Sequence, residues 1–96
     1  MRYFHRTSVA PDDVLVEADR HFGAHLQQVH ADHRSRAYAG TIGRIDLRVE
    51  AEGGHYTLIR LKTDQVGESE ADKSAKAFLT AVHGKAKPRH VARGAY

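Results

Sequence analysis

Apolar and polar residues alternate most regularly in the middle of the chain. Ile45, Leu47, Val49 and Ala51 are interleaved with Asp46, Arg48 and Glu50, the period-two pattern of a strand buried on one face. Glu52-Gly53-Gly54 follows, and paired glycines supply the positive φ angles a tight hairpin needs. Tyr56 to Thr63 returns as the partner strand, with Thr57, Ile59 and Leu61 on one face and Tyr56, Leu58, Arg60 and Lys62 on the other.

The flanks carry helical periods. Val14, Leu15, Ala18 and Phe22 make an apolar stripe opened by Pro11, whose missing N–H suits a first helical position. Asp12 and Asp13 complement the positive end of the helix dipole there. Gly23 is read as the stop, although Leu26 and Val29 would extend the stripe. Near the other end Ala71, Ala75, Phe78, Leu79 and Val82 keep helical spacing, with Lys73, Lys76 and Thr80 on the opposite face. Ser69 is the expected N-cap, Asp72 three residues on approximates a capping box, and Gly84 is expected to close this helix. The β-formers of Met1 to Val9 predict a first strand, 25–32 a short strand, and Arg36 to Gly40 another, turning at Gly40-Thr41-Ile42-Gly43.

The predicted fold is therefore α+β: a single antiparallel sheet of four or five strands in the order β-α-β-β-β-β-α, with two helices on one face. Two striped helices bury their stripes against the same side of a sheet, which leaves the other side open.

Composition adds little to this picture. The chain has 96 residues, net charge +3 and no cysteine. That length suits one domain and excludes an enzyme with separate cofactor and substrate domains. Disulfides and thiolate metal sites are excluded as well. No apolar run approaches the roughly 20 residues of a membrane span, so the expectation is a cytoplasmic, bacterial-type domain with no membrane partner. The basic balance belongs to residues 85–96, where Lys85, Lys87, Arg89 and Arg93 face no acid. Residues 1–84 carry eleven basic against twelve acidic residues. The expected organisation is a domain over 1–84 and a basic tail over 85–96.

Gly23, the Gly40 to Gly43 turn, the Glu52-Gly53-Gly54 hairpin and the capped last helix together make a layout that resembles small strand–helix–four-strand–helix domains of unknown function. These are related in shape to the TATA-binding-protein-like and helix-grip folds, whose larger relatives grip apolar ligands between sheet and helix. The layout is also similar to that of ribosome hibernation factors, whose helices are basic where this one opens Pro11-Asp12-Asp13. Double-stranded-RNA-binding domains share a lysine-rich start to the last helix, as in Asp72-Lys73-Ser74-Ala75-Lys76. Here Glu68, Glu70 and Asp72 surround the spot where phosphate would sit.

Candidate chemistry is sparse. Eight histidines include His21 and His25 at helical spacing, which share a face only if the helix passes Gly23. His30, Asp32 and His33 follow closely, but no third ligand stands at a fixed metal-site spacing, so no metal or other cofactor is expected. Asp64, Gln65, Glu68, Glu70 and Asp72 form an acidic run suited to the helix start. Asp64 and Gln65 are expected to cap the turn at Val66-Gly67, inside a polar network. No serine lies in a nucleophile turn and no glycine-rich loop carries a phosphate-binding lysine, so catalysis is not expected.

The open sheet face is what remains. Tyr38, Asp46, Arg48, Glu50, Tyr56, Leu58, Arg60 and Lys62 are assigned to it, with Phe4 and Arg6 or Tyr3 and His5 from the first strand. Tyrosines and arginines among acids suit a self-complementary two-fold interface, so a homodimer or protein-interaction module is the leading expectation. RNA or ribosome binding through Tyr56, Arg60, Lys62 and the tail is the alternative.

Overall fold

A computed structural model describes residues 1–86. The elements are β1 (Arg2–Thr7), α1 (Pro11–Gly23), β2 (Gln27–Ala31), β3 (Ser35–Gly40), β4 (Gly43–Glu52), β5 (Tyr56–Thr63) and α2 (Glu70–Ala86). The strands form one antiparallel sheet in the order β1-β5-β4-β3-β2. Thus β2 to β5 make a meander, and β1 returns to pair with β5, Tyr3 opposite Leu61.

Strand alternation explains which residues go inside. Ile45, Leu47 and Val49 of β4 and Ile59 and Leu61 of β5 are buried, and both helices lie on that side. Their register pairs Leu47 with Leu61 and Val49 with Ile59, so the apolar rows run straight across the sheet. The helices add Val14, Leu15, Ala18 and Phe22 from α1 and Ala71, Ala75, Phe78 and Val82 from α2. Phe22 joins the three parts, its ring 5.1 Å from both Phe78 and Tyr38.

Local rules set the helix ends. Pro11 opens α1, where the Ala10 cap offers no side-chain bond and Asp12 and Asp13 fill the first turn. Ser69 caps α2, its Oγ accepting the Asp72 N–H at 3.1 Å as expected from sequence. α1 ends at Gly23. Leu26 is buried just beyond, whereas Val29 sits half-exposed on β2, so the continued stripe is not used as a helix. Gly84 does not close α2: it keeps a negative φ, and the helix continues through Lys85 to Ala86. Nothing at Gly84 forces a stop, since a glycine without a left-handed turn merely weakens a helix. The remaining tail cations Lys87, Arg89 and Arg93 lie outside the described residues.

Candidate functional site: the open sheet face

Side chains of even-numbered positions in β1, β4 and β5 point away from the helices. Across the sheet they form rows. Arg2 pairs with Lys62, then Asp46, then Ala37 and finally His30. The next row is Phe4, Arg60, Arg48 and Ser35, followed by Arg6, Leu58 and Glu50. Tyr56 and Glu52 end the face beside the Gly53-Gly54 turn, where φ reaches +61° and +77°. The first strand therefore contributes Phe4 and Arg6, joined by Arg2, while Tyr3 and His5 face the helices.

Tyr38 is a correction. It is fully buried on the helix side, opposite Ile45, and its hydroxyl donates to Asp19 Oδ1 at 2.6 Å. Small Ala37 and Ala39 take the outward positions of β3. The ring packs against Phe22 while the hydroxyl reaches the rim of α1, where Asp19 also accepts from Gln28 and Arg36. Burial first, and then the Asp19 carboxylate, hold the Tyr38 hydroxyl well above the usual phenol range.

Asp64 and Gln65 also do something other than expected. They do not cap Val66-Gly67. Asp64 Oδ1 accepts the Arg44 N–H at 2.8 Å and the Gln65 amide at 3.0 Å, tying the end of β5 to the start of β4. Gly43 makes this possible: it has φ +126°, and a Cβ there would stand 2.6 Å from Asp64 Oδ1. The Arg44 N–H, and next the Gln65 amide, hold the Asp64 carboxyl below its ordinary value.

The polar network expected near Asp64 is one step away, on the helix side. Asp72 is fully buried and its carboxylate accepts from Tyr3 Oη at 2.6 Å, Thr63 Oγ1 at 2.9 Å and Ser69 Oγ. Burial pushes this carboxyl up, but the hydroxyls of Ser69, Tyr3 and Thr63 together outweigh it and hold it below the ordinary value. Tyr3 is pushed up to about 12, chiefly by its bond to Asp72. These groups satisfy one another and carry the helix onto the sheet rather than facing a ligand.

The charges of the open face are unequal. Arg2, Arg6, Arg44, Arg48, Arg60 and Lys62 stand against Asp46, Glu50 and Glu52. Each carboxylate is already engaged: Asp46 by Arg44 at 3.1 Å, Glu52 by Arg6 at 2.6 Å, and Glu50 by Arg60 at 3.0 Å, with Arg48 more distant at 3.7 Å. Among the described residues Arg2 and Lys62 have no carboxylate within ion-pair distance. Around them the face sinks into a shallow depression of about 320 Å³, rimmed by Phe4, Ser35, Arg48 and Arg60 as well. The Phe4 ring is 60% exposed, and the Arg60 guanidinium lies 5.4 Å from its centre. Arg2 and Arg44 escaped the sequence assignment, and Phe4 stood there as one of two alternatives, because only the β1–β5 register shows which side of β1 is outward.

Among the described residues the histidines do not gather into a metal centre. His21 bonds the Ser74 carbonyl at 3.1 Å, and α1 ends before His25 can share its face. They line a second hollow with Glu70 and Lys73, yet among the described residues no three His, Asp or Glu side chains converge on a common point. Among the same residues no helix is long and apolar enough to cross a membrane. No protein-family model matches the chain, and no curated protein or solved structure matches it.

Proposed function

We propose that the open sheet face binds an anionic partner, single-stranded nucleic acid, and that the protein is a non-enzymatic binding module. The observation that carries this reading is the leftover charge. Every carboxylate on the face is consumed by an arginine of the same face, and Arg2 and Lys62 are left over beside an exposed phenylalanine. Cations on a sheet neutralise phosphates, and an aromatic ring offers a stacking platform to an unpaired base. The element order that resembles TATA-binding-protein-like domains does not enter the argument, since fold analogy alone carries no function.

The test is fluorescence anisotropy of the full chain with a short labelled single strand across a salt series. Binding should weaken steeply as salt rises, and charge reversal of Lys62 should weaken it further. Salt-independent binding, or none at low salt, defeats the reading.

Self-association through the same face is the second reading, and the half-exposed Phe4 and Tyr56 rings favour it. Internal pairing of the acids counts against it, because a two-fold mate would have to break those pairs to meet them. Light scattering on a sizing column distinguishes the two. A stable dimer whose mass survives charge reversal of Arg48 and Arg60 excludes this face as its interface.

A further inference from the structure

We propose that the depression beside Arg2 and Lys62 is a subsite for one nucleotide of the bound strand, with the phosphate on the cations and the base on the exposed Phe4 ring. The inference rests on the reading above and assigns it a ligand unit and a geometry.

Three features point to a unit of this size and chemistry. First, the unpaired cations are not spread over the face. Arg2 and Lys62 are register partners on β1 and β5, and Arg48, the arginine less tightly held by Glu50, flanks them in the next row. Guanidinium and ammonium donors converging on one hollow suit a compact oxyanion with several acceptor oxygens. Second, Phe4 is the diagonal neighbour of Lys62 on the adjacent strand, roughly 7–8 Å away. The Arg60 guanidinium lies over one face of the ring, 5.4 Å from its centre, and Phe4 is still 60% exposed. A base lying on that ring keeps its own phosphate over the Lys62 side of the hollow. Third, the hollow is a depression and not a ridge. Ala37 contributes only a methyl to the row that runs from Lys62 to His30, and Ser35 offers a hydroxyl at the rim.

The same arrangement disfavours a duplex, whose bases are stacked away from any ring, and an anionic bilayer, which has nothing to stack. Asp46 stands on the rim too. It is bound to Arg44, so it orients that arginine and leaves the opposite side of the hollow positive.

The experiment compares two labelled strands of equal length and charge, one of ordinary nucleotides and one abasic, titrated against the full chain. The ordinary strand should bind at least about fivefold tighter, the size expected for one stacked base. Phe4→Ala should abolish that difference while leaving the abasic affinity unchanged, and Phe4→Tyr should retain it. Lys62→Ala and Arg2→Ala should weaken both strands and each reduce the salt slope by about 1. Phe4 is exposed, so an unchanged far-ultraviolet circular dichroism spectrum and melting curve will show that the variant folds. Equal affinity for both strands overturns the nucleotide subsite while leaving an anion-binding face. No binding of either strand overturns the face reading itself, as does tighter binding to anionic vesicles than to the ordinary strand.

Discussion

The two faces of this sheet are built from the same strands and handle polar groups in opposite ways. On the helix side, Asp72 is surrounded by hydroxyl donors and Tyr38 finds Asp19. Among the described residues no buried side-chain nitrogen or oxygen lacks a partner. On the open side four of six cations share three carboxylates, and the other two are left over. The difference follows from solvent. A buried polar group without a partner loses its water and gains nothing, whereas an exposed ammonium keeps its hydration at little cost. Polar residues inside therefore report on folding, and surplus charge outside is available to a ligand.

Removing a carboxylate from the helix side has the largest expected effect, and burial sets its size. Asp72→Ala strips the acceptor from the hydroxyls of Tyr3, Thr63 and Ser69, so urea denaturation should show a loss of roughly 2–4 kcal/mol. Asp19 likewise accepts from a tyrosine, but its side chain is 40% exposed. Water can replace it, and Asp19→Ala should cost only about 1 kcal/mol. Equal losses would mean that burial is not what separates the two helix anchors.

That contrast also shows what the sequence made legible. The β4 and β5 alternation, the Pro11 helix start and the Ser69–Asp72 cap are local rules written within a few residues, and each is present in the fold. Tyr38 was not legible. Ala37 and Ala39 fit an apolar interior as well as Tyr38 fits an exposed surface, and only Asp19, brought up by α1, gives the buried hydroxyl its acceptor. Asp64 and Gln65 were misassigned for a similar reason. Their partner, the Arg44 N–H behind Gly43, becomes a neighbour only once β4 pairs with β5.

Acid should erode the helix side in two stages. Burial, and then the nearby His83 ring, hold His5 below its ordinary value of 6.5. The fold favours the neutral imidazole, so this contribution is complete above pH 6.5 and lost as pH falls through the lower folded-state value. Asp72 is likewise held below its ordinary 3.8, so its contribution is complete above that value and lost as pH falls further. Melting temperature should therefore begin to decline below about pH 6.5 and decline again below about pH 4. His5→Gln should remove the first decline and leave the second. A melting temperature flat from pH 7 to about pH 3 would contradict both assignments.

The smallest change in stability should come with the sharpest contrast. Glu50 lies on the open face, where one carboxylate holds Arg60 at 3.0 Å and Arg48 at 3.7 Å. All three side chains are substantially exposed, and pairs of that kind contribute between nothing and about 1 kcal/mol. Glu50→Gln should accordingly leave the denaturation midpoint almost where it was. It also removes one negative charge from the face and releases two guanidinium groups toward the hollow. Affinity for a single strand should rise by about two- to tenfold at low salt, with a steeper salt dependence. On the helix side the loss of the buried carboxylate should destabilise the fold; on this side the loss of one should improve binding. If Glu50→Gln destabilised the fold as Asp72→Ala does, or left affinity and salt slope unchanged, the two faces would not divide structure from function in this way.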